Sequence, residues 1–213
     1  MENSAPAGKD GWMADYCTNT EIKAALPDGN WGSSYDILLA TLATRASRAI
    51  DLFLGRQPNA FAASSDETRY FDGEGRSSLW VGELAAAPTS VAVDEAGDGN
   101  YTTWEATDII LWPYNAALNG EPYLRLDINP LGNKTIFPAF PKAVKIVGKF
   151  GYATAVPEII KMATIIQAVR WFKRGQQGFE DTGAVAELGQ LKYVQGLDPD
   201  VAEMIMYLRR IGI

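Results

Sequence analysis

The chain has 213 residues, 47% of them hydrophobic, which is enough for one or two packed domains with a real core. Its 26 acidic and 19 basic residues leave a formal charge of −7, the wrong sign for a protein that grips nucleic-acid phosphates along a basic face. The absence of histidine removes histidine nucleophile systems, histidine general bases and imidazole metal sites together.

A single Cys17 closes no intrachain disulfide and is too few for a zinc or iron–sulfur site, so it reads as a tolerated surface or half-buried thiol. No apolar run reaches the length of about 18 residues that spans a bilayer, and the first residues lack the basic start and apolar core of a secretory signal. The expectation is a soluble protein made inside the cell, with no membrane partner. Residues 1–17 read as a flexible arm, ordered only where a partner pins Trp12 or Tyr16.

Thr18-Asn19-Thr20-Glu21 has the spacing of a capping box and opens a short helix to Leu26, which Pro27-Asp28-Gly29-Asn30 ends. The spacing of Leu38, Leu42, Ala46, Ala49, Ile50, Phe53 and Leu54 predicts a long helix over 34–54, with Gly55 past its end and Arg45, Arg48 and Asp51 off its apolar stripe. Short β-type runs follow. Thr68-Arg69-Tyr70-Phe71, the turn Asp72-Gly73-Glu74-Gly75 and Leu79-Trp80-Val81 read most economically as a hairpin. Further strands are expected at 90–94, 101–104, 108–112 and 123–127, and most clearly at 144–150. There Val144, Ile146 and Phe150 share one face, and Lys145, Val147 and Lys149 the other.

Helix returns at Pro157, with Ile159, Met162, Ile166 and Val169 in line, Ile160, Ala163 and Trp171 widening the stripe, and Lys173-Arg174-Gly175 closing it. Residues 176–196 read as a glycine-punctuated loop. A last helix is signalled by Asp198 and Pro199, with Val201, Met204, Ile205, Leu208 and Ile211 on one side. The fold class is therefore α+β: a helical bundle of residues 18–56 and 152–213, carrying residues 57–151 as an inserted antiparallel β-sandwich or barrel-like domain.

Motifs for chemistry are absent. There is no phosphate-binding glycine loop and no dinucleotide fingerprint. The acidic run from Asp94 to Asn100 misses the ligand spacing of a calcium loop and reads as a solvated turn. Asp66-Glu67 and Glu180-Asp181 lie in loop-like sequence, where adjacency alone does not place two carboxyls across a cleft. The β-region aromatics Tyr70, Trp80, Tyr101, Trp104, Trp112, Tyr114 and Tyr123 read mainly as core, with smaller shares for an interface and for a ligand platform. Lys173-Arg174 and Arg209-Arg210 complement helix C-termini and are too short for a nucleic-acid patch.

In order along the chain stand Thr20-Glu21-Ile22-Lys23-Ala24-Ala25-Leu26, Ala46-Ser47-Arg48-Ala49-Ile50-Asp51, Thr68 to Gly73, Leu79-Trp80-Val81 and Val91-Ala92-Val93-Asp94. Asp108 to Pro113, Val144 to Tyr152, Val156-Pro157-Glu158 and Asp198-Pro199-Asp200-Val201 follow. In that order and spacing the sequence resembles the head-tail connector, or head-tail adaptor, proteins of tailed bacteriophages. The resemblance implies a structural protein of the virion neck with no catalytic residue, metal or cofactor. It further implies a ring, dodecameric in that family, docked beneath the portal protein. Such a ring has a stopper or tail-completion protein below it and extends the channel through which double-stranded DNA passes without sequence-specific binding. Another neck component, such as a stopper, is the nearest neighbouring reading. For portal docking the sequence points to the terminal Tyr207, Leu208, Arg209, Arg210, Ile211 and Ile213, which combine charge with apolar area. From a different class, the alternative is a carbohydrate-binding or glycosidase-like β domain with a helical appendage, which exposed coplanar tryptophans would favour.

Overall fold

The Glu21 N–H donates to the Thr18 hydroxyl at 3.2 Å, and the Thr18 N–H donates to a Glu21 carboxylate oxygen at 2.8 Å. This reciprocal pair starts α1 (Asn19–Ala25) where the sequence places it. The structure, a computed structural model, describes residues 14–26, 31–176 and 196–210. It is α+β, with five α-helices and two antiparallel sheets among the described residues. The chain divides into two compact units, one of residues before Ala60 together with those from Val156 onward, the other Ala60–Ala155.

In the first unit, a single 3-10 turn (Ser33–Tyr35) leads into α2 (Asp36–Phe53), and α4 (Glu158–Gln176) and α5 (Pro199–Ile205) follow the β region. Helices α1, α2 and α4 share one core built from Ile22, Leu26, Leu39, Leu42, Ala46 and Phe172. The buried faces overlap the predicted stripes, which Leu42, Ala46 and Ile50 of α2, Leu54 just past it, and Ile160 and Ala163 of α4 share, but depart from them at other positions. On α2, Leu38 is exposed, and Leu39, Ala43, Ser47 and Asp51 are buried beside Leu42, Ala46 and Ile50. On α4, Met162 is exposed and the buried line is Ile160, Ala163, Thr164, Gln167, Ala168 and Phe172. Both helices carry apolar side chains around much of their circumference, so periodicity admits two neighbouring faces and packing selects between them. Thr164 and Ser47 tolerate burial because each hydroxyl donates to the carbonyl four residues back, at 2.7 and 2.8 Å.

The second unit holds a four-stranded sheet of order β1-β7-β3-β4 and a three-stranded sheet of order β2-β6-β5. The strands are β1 (Glu67–Phe71), β2 (Ser78–Leu84), β3 (Ser90–Val93), β4 (Thr102–Thr103), β5 (Ile109–Trp112), β6 (Tyr123–Ile128) and β7 (Val144–Gly148). A short helix α3 (Ala116–Asn119) separates β5 from β6. Neither sheet closes on itself, which corrects the barrel-like expectation. One hydrophobic core draws on both sheets, with Leu79, Val81, Leu84, Leu126 and Ile128 from one and Val91, Val93, Val144 and Ile146 from the other. Strand β7 alternates as its sequence requires, with Val144, Ile146 and Phe150 buried and Lys145, Val147 and Lys149 half-exposed. In β2 the pairing with β6 slips between Trp80 and Leu84, where Gly82 takes φ 74°, a conformation that suits glycine in a bulge.

The expected hairpin over 68–81 does not form. Strand β1 pairs with β7 and β2 with β6, so the two lie in different sheets. The turn between them bonds instead to the segment around Phe137: Gly73 N donates to Phe140 O at 3.2 Å, Gly75 N to Phe137 O at 3.0 Å, and Phe137 N to Arg76 O at 2.8 Å. Approach is so close that a Cβ on Gly73 meets the Pro138 carbonyl oxygen at 1.9 Å. Replacing Gly73 by alanine therefore forces a backbone shift. The expected cost is about 1–3 kcal/mol, read as a lower urea midpoint with an unchanged m-value.

Candidate functional site

The C-terminal residues are held from two sides. The Asp198 carboxylate accepts Asp200 N at 3.0 Å and pairs with Arg170, while Asp198 N donates to Gln167 Oε1 at 2.8 Å, fixing the start of α5 on α4. Beyond α5, a 3-10 turn (Met206–Leu208) brings the Leu208 carbonyl to Arg56, whose Nε and Nη2 donate to it at 3.1 and 2.7 Å. Arg210 N then donates to Leu54 O at 2.9 Å. Of the docking residues expected from the sequence, Tyr207 is 70% exposed, Arg209 and Arg210 are exposed, and Leu208 is buried with Val201 and Ile205. Leu208 therefore belongs to the core rather than to a docking face. Ile211 and Ile213 lie outside the described residues.

The end of the N-terminal arm is pinned within the chain, which corrects the reading of 1–17 as flexible through Cys17. Tyr16 is fully buried; its hydroxyl donates to Asp51 Oδ1 at 2.5 Å and its N–H donates to Ser47 Oγ at 2.9 Å. The Arg48 guanidinium lies 5.4 Å from the Tyr16 ring, donates to Asn59 Oδ1 and to the Ala14 carbonyl at 2.8 Å each, and approaches Asp51 Oδ2 at 3.3 Å. Asp15 accepts from the Thr44 hydroxyl at 3.0 Å. Cys17 is buried rather than half-exposed, and burial, with Glu21 and Asp15 nearby, pushes its thiol up to about 12, so it stays protonated and unreactive at neutral pH. The signal for this cluster is present in the sequence: Ser47 and Asp51 continue the 3-to-4 spacing of Leu39 and Ala43, a polar line running down an otherwise apolar face.

A cavity of about 490 Å³ opens on the same unit, lined by Tyr35, Leu38 and Leu42 on one side and Trp171 and Phe172 on the other, with Arg45 and Arg174 among its polar groups. Its wall is stiffened by edge-to-face contacts of Trp31 with Tyr35 and with Phe172, each at 5.2 Å between ring centres.

On the three-stranded sheet, Trp80, Arg125 and Trp112 stand in one row across β2, β6 and β5. The Arg125 guanidinium lies 4.8 Å from the Trp112 ring and 5.6 Å from the Trp80 ring, and its Nε meets Asp127 at 2.8 Å. The two indole planes cross at 73°, so they do not form the coplanar pair that a sugar-stacking platform presents. Among the β-region aromatics expected to fill the core, Trp104 does so, stacked on Phe137 at 5.3 Å. Tyr70, Trp80 and Tyr114 are exposed, and Tyr101, Trp112 and Tyr123 are half-buried. Aliphatic residues with Trp104, Phe137 and Phe150 fill the core, Tyr123 packs against it, and Tyr70, Trp80 and Tyr114 are left outside. In the acidic turn, both Asp94 oxygens are taken up by the turn itself, accepting Gly97 N, Asp98 N and Gly99 N at 2.7, 3.3 and 2.9 Å. No group of three metal-ligating side chains comes together among the described residues, and no described helix is long and apolar enough to cross a membrane.

No family model and no curated protein sequence matches the chain. Solved structures do. The fold is similar to that of a chain in the neck of an empty gene transfer agent particle computed with C6 symmetry, at TM-score 0.54 and 18% identity, covering 92% of this chain and 90% of that one. A chain of the virion of the native gene transfer agent particle matches at TM-score 0.49 and 20% identity, over 92% and 90% of the two chains. A chain of the native particle's neck computed with C12 symmetry matches at 0.47 and 18%, over 91% and 88%.

Burial pushes the Asp51 carboxyl up from 3.8 to about 6, against the lowering effects of the Tyr16 hydroxyl, Arg48, the Asn59 N–H and Arg56. Between those two values the folded chain binds more protons than the unfolded chain, so this group's contribution to stability is fully present below pH 3.8 and is lost as pH rises through 6. Asp51→Asn is expected to remove most of that decline, on the order of 1–3 kcal/mol between pH 4 and 7 in urea titrations. A smaller slope should remain from Asp15, whose carboxyl burial also raises.

Proposed function

We propose that this chain is a structural protein of a virion neck, acting as a head-tail connector. Copies form a ring between the portal and the tail or stopper and extend the channel for double-stranded DNA. The observation that carries this reading is the fold itself. Over nearly its full length the chain resembles a chain of a particle neck computed with C6 symmetry, and the order of sequence signatures points to the same class. A closed ring needs two different complementary surfaces on each subunit. The apolar cavity on the helical unit and the exposed Trp80 and Tyr114 on the β unit supply surfaces of that kind. The net charge of −7 suits a conduit wall that does not hold phosphates as DNA slides past. Nothing in the described site requires bond-making chemistry. In this reading the helical unit is the bundle and the unit Ala60–Ala155 is the domain inserted into it.

Portal docking falls to the residues flanking the Leu208 anchor: Tyr207 before it, and Arg209, Arg210 and the apolar Ile211 and Ile213 after it. Because the Arg56–Leu208 and Arg210–Leu54 hydrogen bonds precede the last three residues, truncation after Arg210 is expected to leave the thermal midpoint within about 2 °C of the full chain. The same truncation should abolish co-sedimentation with portal rings. Retained portal binding overturns the docking assignment, and a particle neck that lacks the protein in electron micrographs overturns the connector reading.

A further inference from the structure

Resting on the ring reading above, we infer that the apolar cavity between α2 and α4 receives the α3 turn of the neighbouring copy, with Leu118 as the inserted side chain and Glu121 meeting Arg45. The cavity is concave, about 490 Å³ and mostly apolar, with Arg45 at its margin. Arg45 is exposed and has no carboxylate partner among the described residues. Its occupant must therefore bring a projecting apolar side chain with an uncommitted carboxylate close by.

Four apolar side chains are more than four-fifths exposed among the described residues: Ile37 at 84%, Leu52 at 82%, Leu118 at 87% and Leu131 at 93%. Charge separates them. Ile37 follows Asp36, whose carboxylate is held by Lys23. Leu52 follows Asp51, which is buried on the Tyr16 hydroxyl. Leu131 stands near Lys134, which is paired with Glu95 at 2.5 Å, so no uncommitted carboxylate lies beside it. Leu118 projects from α3, and Glu121 lies one turn beyond, exposed and without a cationic partner among the described residues. Glu121 N donates to Ala116 O at 2.9 Å and Gly120 adopts φ 67°, so the turn that carries both side chains is closed on itself and projects as a preformed knob. Tyr114, 67% exposed and four residues before Leu118, adds aromatic area. A cavity of one copy filled by the knob of the next, repeated head to tail, is a heterologous contact, the kind that closes rings.

The test uses full-length chains carrying one introduced cysteine each, since Cys17 is buried. Leu38→Cys and Leu118→Cys proteins are mixed at high concentration with a short bis-maleimide, and Leu38→Cys mixed with Leu131→Cys serves as the control. Preferential cross-linking of the Leu38–Leu118 pair is expected. Arg45→Glu in the cavity partner should lower its yield at least about fivefold, and adding Glu121→Arg to the knob partner should restore it. Equal yields for the two pairs overturn the inference. So does an Arg45→Glu loss that Glu121→Arg fails to rescue, which assigns the cavity to a different occupant. Ring formation is read separately by mass photometry and electron microscopy of the wild-type chain and of the particle neck. Rings without the preferential cross-link overturn only this contact, whereas the cross-link in a protein absent from the neck overturns the connector reading.

Discussion

A carboxylate buried on the apolar face of a helix has to be satisfied, and around Asp51 that requirement organises much of the helical unit. Its Oδ1 accepts from the Tyr16 hydroxyl, which reaches it only if residues 14–17 lie along α2, and its Oδ2 faces Arg48 Nε at 3.3 Å as an ion pair within the helix. The same Arg48 binds the Ala14 carbonyl and Asn59, so one guanidinium ties the entry to α1 to the segment that leaves α2. An apolar residue at position 51 would pack without any of these partners. The carboxylate instead trades stability at neutral pH for a fixed course of the arm.

The β unit answers a different constraint. Two open sheets sharing one core must cover their inner faces with aliphatic residues and keep the connecting turns close to the backbone they cross. The turn after β1 achieves the second through its hydrogen bonds to the Phe137 region, where no Cβ fits at Gly73. The first leaves large aromatics on the outside, where Arg125 fills the space between Trp80 and Trp112 and Asp127 fixes its orientation. Such a row presents the residue types that dominate binding energy at protein contacts, already rigid before a partner arrives.

Local signals in the sequence were legible where a few neighbouring residues settle the structure. The Thr18–Glu21 box, the Asp198-Pro199 start of α5 and the alternation of β7 each depend on short-range geometry, and each appears where read. The pairing of β1 was not legible, because a turn-like tetrapeptide looks alike whether its flanking strands pair with each other or with distant partners. The predicted Leu42, Ala46 and Ile50 of α2, Leu54 just past it, and Ile160 and Ala163 of α4 are buried, but Leu39 takes the place of Leu38, because the two are equally apolar and only the opposing helix distinguishes them. Asp51 falls off the predicted apolar stripe yet is buried. The pattern Ala43-Ser47-Asp51 already pointed inward, and the missing information was a partner, Tyr16, more than thirty residues away. Of the candidate terminal site, Arg209 and Arg210 face solvent as an exposed charge pair should, whereas Leu208 was drawn inward by the need to complete the α5 core.

A protein that works by fitting copies of itself together places its selective pressure on surfaces rather than on reacting atoms. Its exposed residues then follow a logic opposite to that of a monomer, for which an isolated leucine at the surface is incidental and a cation without a partner is simply solvated. In the proposed contact the cavity with Arg45 belongs to the helical unit and the α3 turn with Leu118 and Glu121 belongs to the β unit. Under the proposed connector reading, repeated cavity-to-knob addition is the heterologous contact a ring needs, and the net charge of −7 limits how strongly such a ring would attract the phosphates of DNA.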